Sequence, residues 1–460
     1  MGKKEIDQIL HAPVVKETDV LIVGGGSAGW SAAIAAARCG VKVILVERNY
    51  ELGGTSTTAM MHLFGAPSGE AHGLMKEVLD RLSAEHAAIL GELTPYDGQQ
   101  YAQLIFRMLE EAGVEILLGT VFSSTIVEDN QVKGIIIETK TGPQAIWGQV
   151  VIDATGDGDV CANAGASFVL GREIDHKMRP ITMLFRIGNI DVVKLLNWVK
   201  AHPEEFKQDE NSHIIDDTKG LYRLHGFFGI AERGRAEGKL DKECHYIRFE
   251  YVWPERNIAL INSTRVYSVN ALDPFELSSA IVTARKQIDL LYHFIRTHIP
   301  GCENTYIVDV SSMPGIRETR HIIGDYILTE EDLANETVFE DRLFRDYRRV
   351  VPGAAVHSPD GNEGAVGDNL EREQKRRLYT FTIPYRCFLP KGLQGVLVAG
   401  RCFSATHQAD GWTRDTPGCI LMGQAAGTAA ALGVKNKVSL RKLNPCTIRL
   451  ELNHQGVITD

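Results

Sequence analysis

The most regular hydrophobic pattern lies near the start of the chain, where two short apolar runs flank an alanine-rich segment. Residues 19–23 form an apolar, β-branched run that stops abruptly at the three glycines 24–26. Residues 28–39 are rich in alanine, Gly40 follows at the position of a helix C-cap, and residues 41–46 are apolar again. The pattern predicts a strand, a helix and a second, parallel strand within about thirty residues.

The glycines in the first turn of this unit have a spacing that suits a phosphate. Gly24 allows a tight turn, Gly26 lets the backbone approach a pyrophosphate, and Gly29 lets the helix pack closely on the strand. Glu47 ends the second apolar run, about 20 residues further on, where an acid can bind a ribose. A glycine-rich loop without a ligand is the alternative, but the flanking strand, helix and acid favour a dinucleotide. The predicted contacts are Gly24, Gly26, Ser27, Ala28, Gly29 and Glu47.

The unit alone does not distinguish NAD from FAD, because the two cofactors share their ADP half. Residues 47–55 add a second Gly-Gly turn just past the predicted ribose-binding acid. This continuation resembles FAD-binding folds of the glutathione-reductase type, where it runs along the pyrophosphate toward the flavin. The resemblance adds Arg48, Gly53, Gly54 and Thr55 to the predicted contacts.

Two later parts of the chain extend the same resemblance. Residues 150–159 are a hydrophobic strand leading into an Ala-Thr-Gly turn, and residues 395–401 are another apolar run ending in glycine. Residues 417–430 begin a helix of small residues, so backbone can come close to a flavin there. The contacts that these segments add are Ala154, Thr155, Gly156, Gly400, Arg401, Gly418, Gly423 and Ala426.

Taken in order, these motifs look like the FAD-dependent oxidoreductase family, a relative of the fumarate reductase and succinate dehydrogenase flavoproteins. The resemblance spans about residues 18–435, and the combination is specific although each motif is common. A further signature of the family lies at 311–320, with the sequence Ser-Ser-Met-Pro-Gly-Ile-Arg-Glu-Thr-Arg. The resemblance implies an FAD-dependent enzyme, and it implies that the backbone of Val121 lies near the adenine.

The position of the motifs predicts the domain organisation. Both chain ends supply one cofactor site, so they must share a domain, and the stretch between them must leave that domain and return. We expect an α/β fold: a Rossmann-like FAD-binding domain built from residues 1–160 and 390–460, with an inserted α+β substrate domain at 161–389. Residues 247–252 predict a strand of the inserted domain, and residues 274–297 predict a helix.

Composition narrows the classes of partner and location. The 460 residues are 44% hydrophobic and 23% charged, which is typical of a folded protein of two domains. The net charge of −10 would repel a phosphate backbone, so we do not expect nucleic acid as a partner. The longest apolar region, 20–46, is interrupted by glycines and by charged residues, and residues 1–18 have no signal-peptide core. We therefore expect no membrane span and a cytoplasmic location.

The eight cysteines are dispersed and form no Cys-x-x-Cys pair. Disulfide frameworks, iron–sulfur clusters and structural zinc are therefore not predicted, and no residue is assigned as a metal ligand. The absence of Cys-x-x-x-x-Cys after Gly54 also excludes a redox-active disulfide of the glutathione-reductase kind.

Flavin chemistry requires groups that hold charged oxygens and groups that manage a proton, and arginine and histidine suit these tasks. The signature and the segment 401–418 before the small-residue helix are where such groups are expected. Structural alternatives remain for each: ion pairs for the arginines, a loop contact for a histidine, a core anchor for a tyrosine. His357 lies among turn formers and is interpreted as a surface-loop residue. The candidates are Arg317, Arg320, His321, Tyr385, His407 and Arg414.

The sequence leaves several partners open. Relatives sometimes attach flavin through a histidine in the region of His62, but the surrounding residues do not reproduce an attachment motif, so we expect non-covalent FAD. The leading function is hydride transfer between FAD and a small-molecule substrate, with a protein, a quinone or oxygen as electron acceptor. Assembly into homo-oligomers is left open. The competing functions are a flavin-dependent RNA-modifying enzyme, which the acidic charge opposes, and an NAD-linked or non-catalytic dinucleotide-binding protein.

Overall fold

The computed structural model describes residues 11–206, 213–350, 357–360 and 377–460. The strands in these ranges are β1 (Val14–Val23), β2 (Val43–Val46), β3 (Leu63–Phe64), β4 (Thr94–Pro95), β5 (Glu115–Leu117), β6 (Val121–Glu128), β7 (Gln131–Thr139), β8 (Gly142–Asp153), β9 (Phe168–Leu170), β10 (Phe185–Gly188), β11 (Ile214–Asp216), β12 (Leu221–Gly226), β13 (Ile247–Trp253), β14 (Ile258–Ile261), β15 (Tyr306–Val310), β16 (Arg320–Ile322), β17 (Arg342–Val350), β18 (Arg377–Pro384) and β19 (Val396–Val398). The helices are α1 (Ser27–Arg38), α2 (Gly73–Ala84), α3 (Gly98–Ala112), α4 (Asp159–Asn163), α5 (Val192–Ala201), α6 (Phe228–Ala236), α7 (Pro274–His298), α8 (Glu330–Ala334), α9 (His407–Thr413), α10 (Thr416–Asn436) and α11 (Pro445–His454).

A mostly parallel sheet forms the centre of the first domain. Strands β5, β2, β1 and β8 lie side by side and are parallel, and β19 pairs in parallel with the end of β8. Strands β7 and β6 continue the sheet as an antiparallel meander. The apolar runs of β1, β2 and β19 are buried on both faces, as expected for parallel strands covered by helices. The α/β, Rossmann-like fold predicted for both chain ends is therefore confirmed.

Helix α10 packs against α1 through small side chains, which explains why both helices are rich in alanine and glycine. A Cβ atom added at Gly423 would lie 2.1 Å from the carbonyl oxygen of Ala28, and one added at Gly427 would lie 2.2 Å from that of Ala32. By length and composition α10 is apolar enough to cross a membrane, but 89% of its most apolar window is buried inside the protein. The burial identifies α10 as the core helix that ties the end of the chain to its start.

The second sheet is antiparallel and has the order β11-β12-β13-β14-β10-β15. One face packs against α7 and neighbouring helices around apolar side chains such as Phe185, Leu224 and Phe249. The predicted strand at 247–252 and the predicted helix at 274–297 correspond to β13 and α7. An α+β unit thus lies between the two chain segments that build the parallel sheet.

The two hydrophobic cores divide the chain differently from the expected domain limits. The second core contains residues from Met183 to Cys302, whereas Ile322 and Phe344 belong to the first core together with the parallel sheet. The pair β17–β18 explains the difference, because β17 packs against α9, α10 and α11 of the first domain. The limits at 160 and 389 stay predictions, and the cores place the return to the first domain closer to 322.

Candidate active site

The turn between β1 and α1 has the geometry that a pyrophosphate requires. Gly24 has a φ of +101°, and a Cβ there would lie 2.4 Å from the carbonyl oxygen of Ala154. A Cβ at Gly29 would lie 1.7 Å from the carbonyl oxygen of Gly24, so only glycine lets the helix approach the turn. A Cβ at Gly26 would have no atom within 4 Å, because this residue faces a cavity. The middle glycine therefore leaves room for a ligand, while the outer two shape the turn.

The acid at the end of β2 closes the same turn. Oε2 of Glu47 accepts a hydrogen bond from the backbone N–H of Gly25 at 2.6 Å, and Oε1 accepts one from that of Asn49 at 2.8 Å. The carboxylate is buried and still lines the cavity. A carboxylate fixed in this way is positioned to accept hydrogen bonds from ribose hydroxyls.

The second glycine turn folds back onto the first. Gly53 and Gly54 have φ angles of +96° and +56°, and the N–H of Gly53 donates to the carbonyl oxygen of Gly25 at 2.9 Å. A Cβ at Gly54 would lie 3.1 Å from Cα of Gly26. The two turns, distant by about 30 residues, thus form one continuous backbone surface along the cavity.

The end of the chain meets the turn after β8 through an arginine. Arg401 donates from Nε to the carbonyl oxygen of Gly156 at 2.8 Å and from Nη2 to Oδ1 of Asp157 at 2.6 Å. Asp153, buried at the end of β8, accepts from the hydroxyl of Thr155 at 2.7 Å and holds this turn from below. Glycine turns from opposite ends of the chain therefore face one space.

That space is a cavity of about 430 Å³, a volume typical of small-molecule and cofactor sites. The cofactor residues predicted from the sequence that line it are Gly24, Gly26, Ser27, Ala28, Glu47, Arg48, Gly54, Thr55, Val121, Ala154, Thr155, Gly156, Gly400 and Arg401. Those that lie outside the lining are Gly29, Gly53, Gly418, Gly423 and Ala426. Glycines of the second group permit close backbone packing behind the lining. Gly29 and Gly423 let helices pack closely, and a Cβ at Gly418 would lie 2.5 Å from the carbonyl oxygen of Thr413.

Two of the six predicted catalytic residues line the cavity, namely Arg317 and Arg414. Nη1 of Arg317 donates to the carbonyl oxygen of Pro180 at 2.6 Å. Arg414 lies next to the buried Asp410, with Nε 3.8 Å from the carboxylate, and burial lowers the pKa of Arg414. These two arginines are the predicted groups that can reach a substrate.

Two other candidates hold the fold together instead of facing the cavity. Arg320 donates to Oδ1 of Asp159 at 2.8 Å, which joins β16 to α4. The hydroxyl of Tyr385 donates to the carbonyl oxygen of Leu440 at 2.9 Å, and burial raises its pKa. Both residues occupy the structural roles that the sequence left open as alternatives, and neither belongs to the lining.

The two predicted histidines share one buried carboxylate behind the cavity. His321 Nε2 and His407 Nδ1 lie 2.8 Å and 2.6 Å from Oε1 of Glu318, and Arg179 Nη1 lies 3.0 Å from the same oxygen. Burial alone would raise the pKa of Glu318, but the charge of Arg179 and the two histidine hydrogen bonds hold it well below its usual value. Neither histidine belongs to the lining, so the structure places them as supports of the wall.

This cluster has the composition of a metal site but already contains a cation. Ligand atoms of Glu318, His321 and Asp410 lie within 4.8 Å of one another. The guanidinium of Arg179 lies 3.0 Å from Glu318 and 2.8 Å from Asp410, and Arg414 lies 3.8 Å from Asp410, so two arginines balance the two carboxylates. A further cation would face electrostatic repulsion there, which disfavours a metal ion.

Several residues of the lining were not predicted from the sequence, and Arg223, Arg248 and His357 are among them. The signal for Arg248 was present, because it and Glu250 alternate with Phe249 and Tyr251 in an otherwise apolar strand. His357, interpreted as a surface-loop residue, is half-buried and faces the cavity. Its turn-rich surroundings gave no sign of this position.

The turns, the carboxylate of Glu47 and the cavity define a protein of the Rossmann-like, dinucleotide-binding class. The sequence profile described as FAD dependent oxidoreductase matches residues 19–452, and the chain therefore belongs to that family. FAD is its cofactor, and the predicted family resemblance is confirmed.

Curated relatives are similar over a shorter part of the chain. The thiamine thiazole synthase of Aeropyrum pernix is 29% identical over 154 residues, which are 30% of this chain and 54% of that protein. The tRNA uridine 5-carboxymethylaminomethyl modification enzyme MnmG of Geotalea uraniireducens is 31% identical over 31% of this chain and 24% of its own length. The chain thus spans about half the length of the thiazole synthases it matches and a quarter of MnmG. A geranylgeranyl bacteriochlorophyll reductase-like structure from Thermoplasma acidophilum has 14% identity and a TM-score of 0.48, covering 95% of this chain and 83% of that one.

Proposed function

We propose that this enzyme transfers a hydride between a carbon atom of a small organic substrate and FAD. The observation that supports it is a single cavity that extends from the turns of the parallel sheet to the antiparallel sheet. The bound FAD supplies the two-electron chemistry. The turn of Gly24 and Gly26 would hold its pyrophosphate, and the remaining space beneath the antiparallel sheet would take the substrate.

Non-covalent attachment of FAD is part of the proposal. His62, the residue in the region where relatives attach flavin, is buried and lies outside the cavity lining. A Cβ at Gly98 would lie 2.0 Å from its Nε2, so the ring packs against the start of α3. Burial lowers the pKa of His62 to about 4, which fits a neutral core histidine.

Proton management falls to His357 in this proposal. It is the one histidine among the described residues that line the cavity, and imidazole is the side chain best suited to proton exchange near neutral pH. Arg317 and Arg414, which also line the cavity, hold charged oxygens of the substrate. The electron acceptor in the second half-reaction is a protein, a quinone or oxygen, since no second dinucleotide-binding turn follows a strand in the sequence.

The test begins with the flavin itself. Purified enzyme is photoreduced without oxygen, and unsaturated acids, ketones and quinones are screened for the compound that restores the oxidised spectrum. We expect one class to do so and acid denaturation to release the flavin. A colourless protein that does not take up added FAD, or a reduced flavin that none of these classes reoxidises, would refute the proposal.

A matched pair of histidine variants tests the proton step. H357Q should retain FAD and slow flavin reoxidation by the active compound about 100-fold or more, with a changed pH profile. H454Q is the control, because the side chain of His454 is 77% exposed and lies outside the cavity lining. Equal rates in the two variants would remove His357 from the mechanism.

A further inference from the structure

The antiparallel sheet turns a charged face toward the cavity. Along β12 and β13 the side chains of Leu224 and Phe249 enter the apolar core, so the intervening Arg223 and Arg248 point the other way. Both arginines line the cavity, and their side chains are only 10% and 12% exposed. Buried charges are paired in proteins, and the one buried carboxylate beside these two arginines among the described residues, Glu250, balances only one of their two positive charges.

Inside the wall, one carboxylate orients both guanidinium groups. Glu250, fully buried, accepts from Nη2 of Arg223 at 2.8 Å and from Nη2 of Arg248 at 2.9 Å. The amide of Asn262 donates to its other oxygen at 2.9 Å. Among the described residues no acceptor lies at Nη1 of Arg248, so this nitrogen can donate hydrogen bonds to a ligand in the cavity. The arrangement fixes a planar donor group in advance of binding, which is how arginine recognises carboxylate and phosphate.

Arg414 supplies a second cation from the first domain. Its side chain is 12% exposed and lines the cavity. Nε is buried and has no hydrogen-bond partner among the described residues, and the nearest carboxylate oxygen, of Asp410, is 3.8 Å away. Asp410 is itself bound to Arg179 at 2.8 Å. A buried guanidinium with an unpaired Nε is stabilised when an anion binds beside it in the cavity.

We propose that the substrate of this enzyme is an organic anion, and that Arg248, supported by Arg223 and Glu250, binds its carboxylate or phosphate group, with Arg414 as a second cation from the first domain. The inference rests on the proposed function, because it assigns the substrate to the same cavity. The phosphates of FAD do not account for Arg223 and Arg248. The phosphates are expected at the turn of Gly24 and Gly26 in the first domain, whereas Arg223 and Arg248 lie on strands of the antiparallel sheet.

The inference is tested on the enzyme with its FAD bound, by recording flavin absorbance during titration with three probes: glutarate, inorganic phosphate and neutral glutaramide. We expect at least one of the anions to perturb the flavin spectrum saturably below about 10 mM and glutaramide not to do so. The anion that binds distinguishes a carboxylate from a phosphate site. Equal binding of glutaramide, or no perturbation by either anion, would overturn the inference.

Variants then locate the anion. R248Q should weaken binding of the active anion about 10- to 100-fold, because a hydrogen-bonded charge is lost, and R248K should recover part of it. R233Q also removes one positive charge from the same domain, but the side chain of Arg233 is 67% exposed and lies outside the lining. The R233Q variant should therefore bind the active anion with the wild-type affinity. Unchanged affinity in R248Q, or equal losses in R248Q and R233Q, would contradict the assignment.

Flavin content and redox assays separate this inference from the proposed function. If the anion binds through Arg248 but no compound exchanges electrons with the flavin, hydride transfer fails and the anion site stands. If neutral compounds reoxidise the flavin as well as acids do, hydride transfer stands and the anion assignment fails. FAD content is measured in every variant, and it should stay at the wild-type level in R248Q.

Discussion

Gly26 and Gly29 offer the sharpest test of the cofactor site, because they lie three residues apart and meet opposite surroundings. Gly26 has a φ of −68° and a ψ of −173°, which any residue adopts, and an added Cβ there meets nothing within 4 Å. A Cβ at Gly29 would lie 1.7 Å from the carbonyl oxygen of Gly24. G26A therefore changes only the cavity, whereas G29A changes the fold of the turn.

The magnitudes follow from these contacts. In G26A, the loss of unfolded-state entropy stabilises by about 0.4–1 kcal/mol and a poorer helix N-cap costs about the same, so stability should change little. The new methyl group moves a phosphate off the N-terminus of α1, and one lost hydrogen bond to a charged oxygen costs about 1.5–3 kcal/mol. The Kd for FAD should therefore rise about 10- to 100-fold. In G29A, overpacking costs about 1–3 kcal/mol of stability as well.

The measurements are a fluorescence titration of FAD into the deflavinated protein and the thermal unfolding midpoint of the same samples. We expect G26A to unfold like the wild type but to bind FAD weakly, and G29A to fail in both respects. The reasoning is refuted if G26A binds FAD with the wild-type Kd, or if its midpoint falls as far as that of G29A.

Three further predictions concern the packing and charge of the first domain. G423A places a methyl group 2.1 Å from the backbone of α1 and should destabilise by about 1–3 kcal/mol in urea unfolding, whereas G433A on the same helix, with its nearest contact at 3.2 Å, should not. Burial raises the pKa of Asp346 to about 7, so the native state keeps a proton that the unfolded state releases near pH 4. Stability therefore falls between about pH 4 and 7, and D346N should flatten this fall; an unchanged slope contradicts it. E318Q leaves the buried Arg179 without one of its carboxylates and should cost about 3–5 kcal/mol in the same unfolding assay, and a change below about 1 kcal/mol would show that the cluster is not an ion-pair network.

Local patterns were sufficient to predict the parallel half of the fold. The apolar run before Gly24, the alanine-rich helix and the second run gave β1, α1 and β2 within a few residues of their observed bounds. The reason is physical: a fully buried parallel strand and a tight glycine turn each constrain residue type at every position. The same requirement for a buried apolar strand followed by glycine predicted the strand within 395–401 that corresponds to β19.

Residues that act through distant neighbours were harder to predict. His321 directly follows the signature at 311–320 and His407 lies in the segment 401–418, yet their shared partner Glu318 holds them behind the cavity wall. Gly423 looked like a flavin contact because small residues let backbone approach a ligand, but here they let α10 approach α1. A small residue indicates that something packs closely against it, and a buried charged residue indicates a partner of opposite charge. The sequence alone does not show whether that neighbour is a ligand or another part of the protein.

The sequence by itself determined the cofactor class, the shared domain of the two chain ends and the elements that form it, because glycine spacing and hydrophobic period are local properties. Only the tertiary structure decided which side chains face the substrate. Arg223 and Arg248 lie far from Arg414 in the chain, and they line one cavity because the antiparallel sheet and the first domain meet there. Strand alternation fixes which side of the sheet each residue takes, but only packing determines what that side faces.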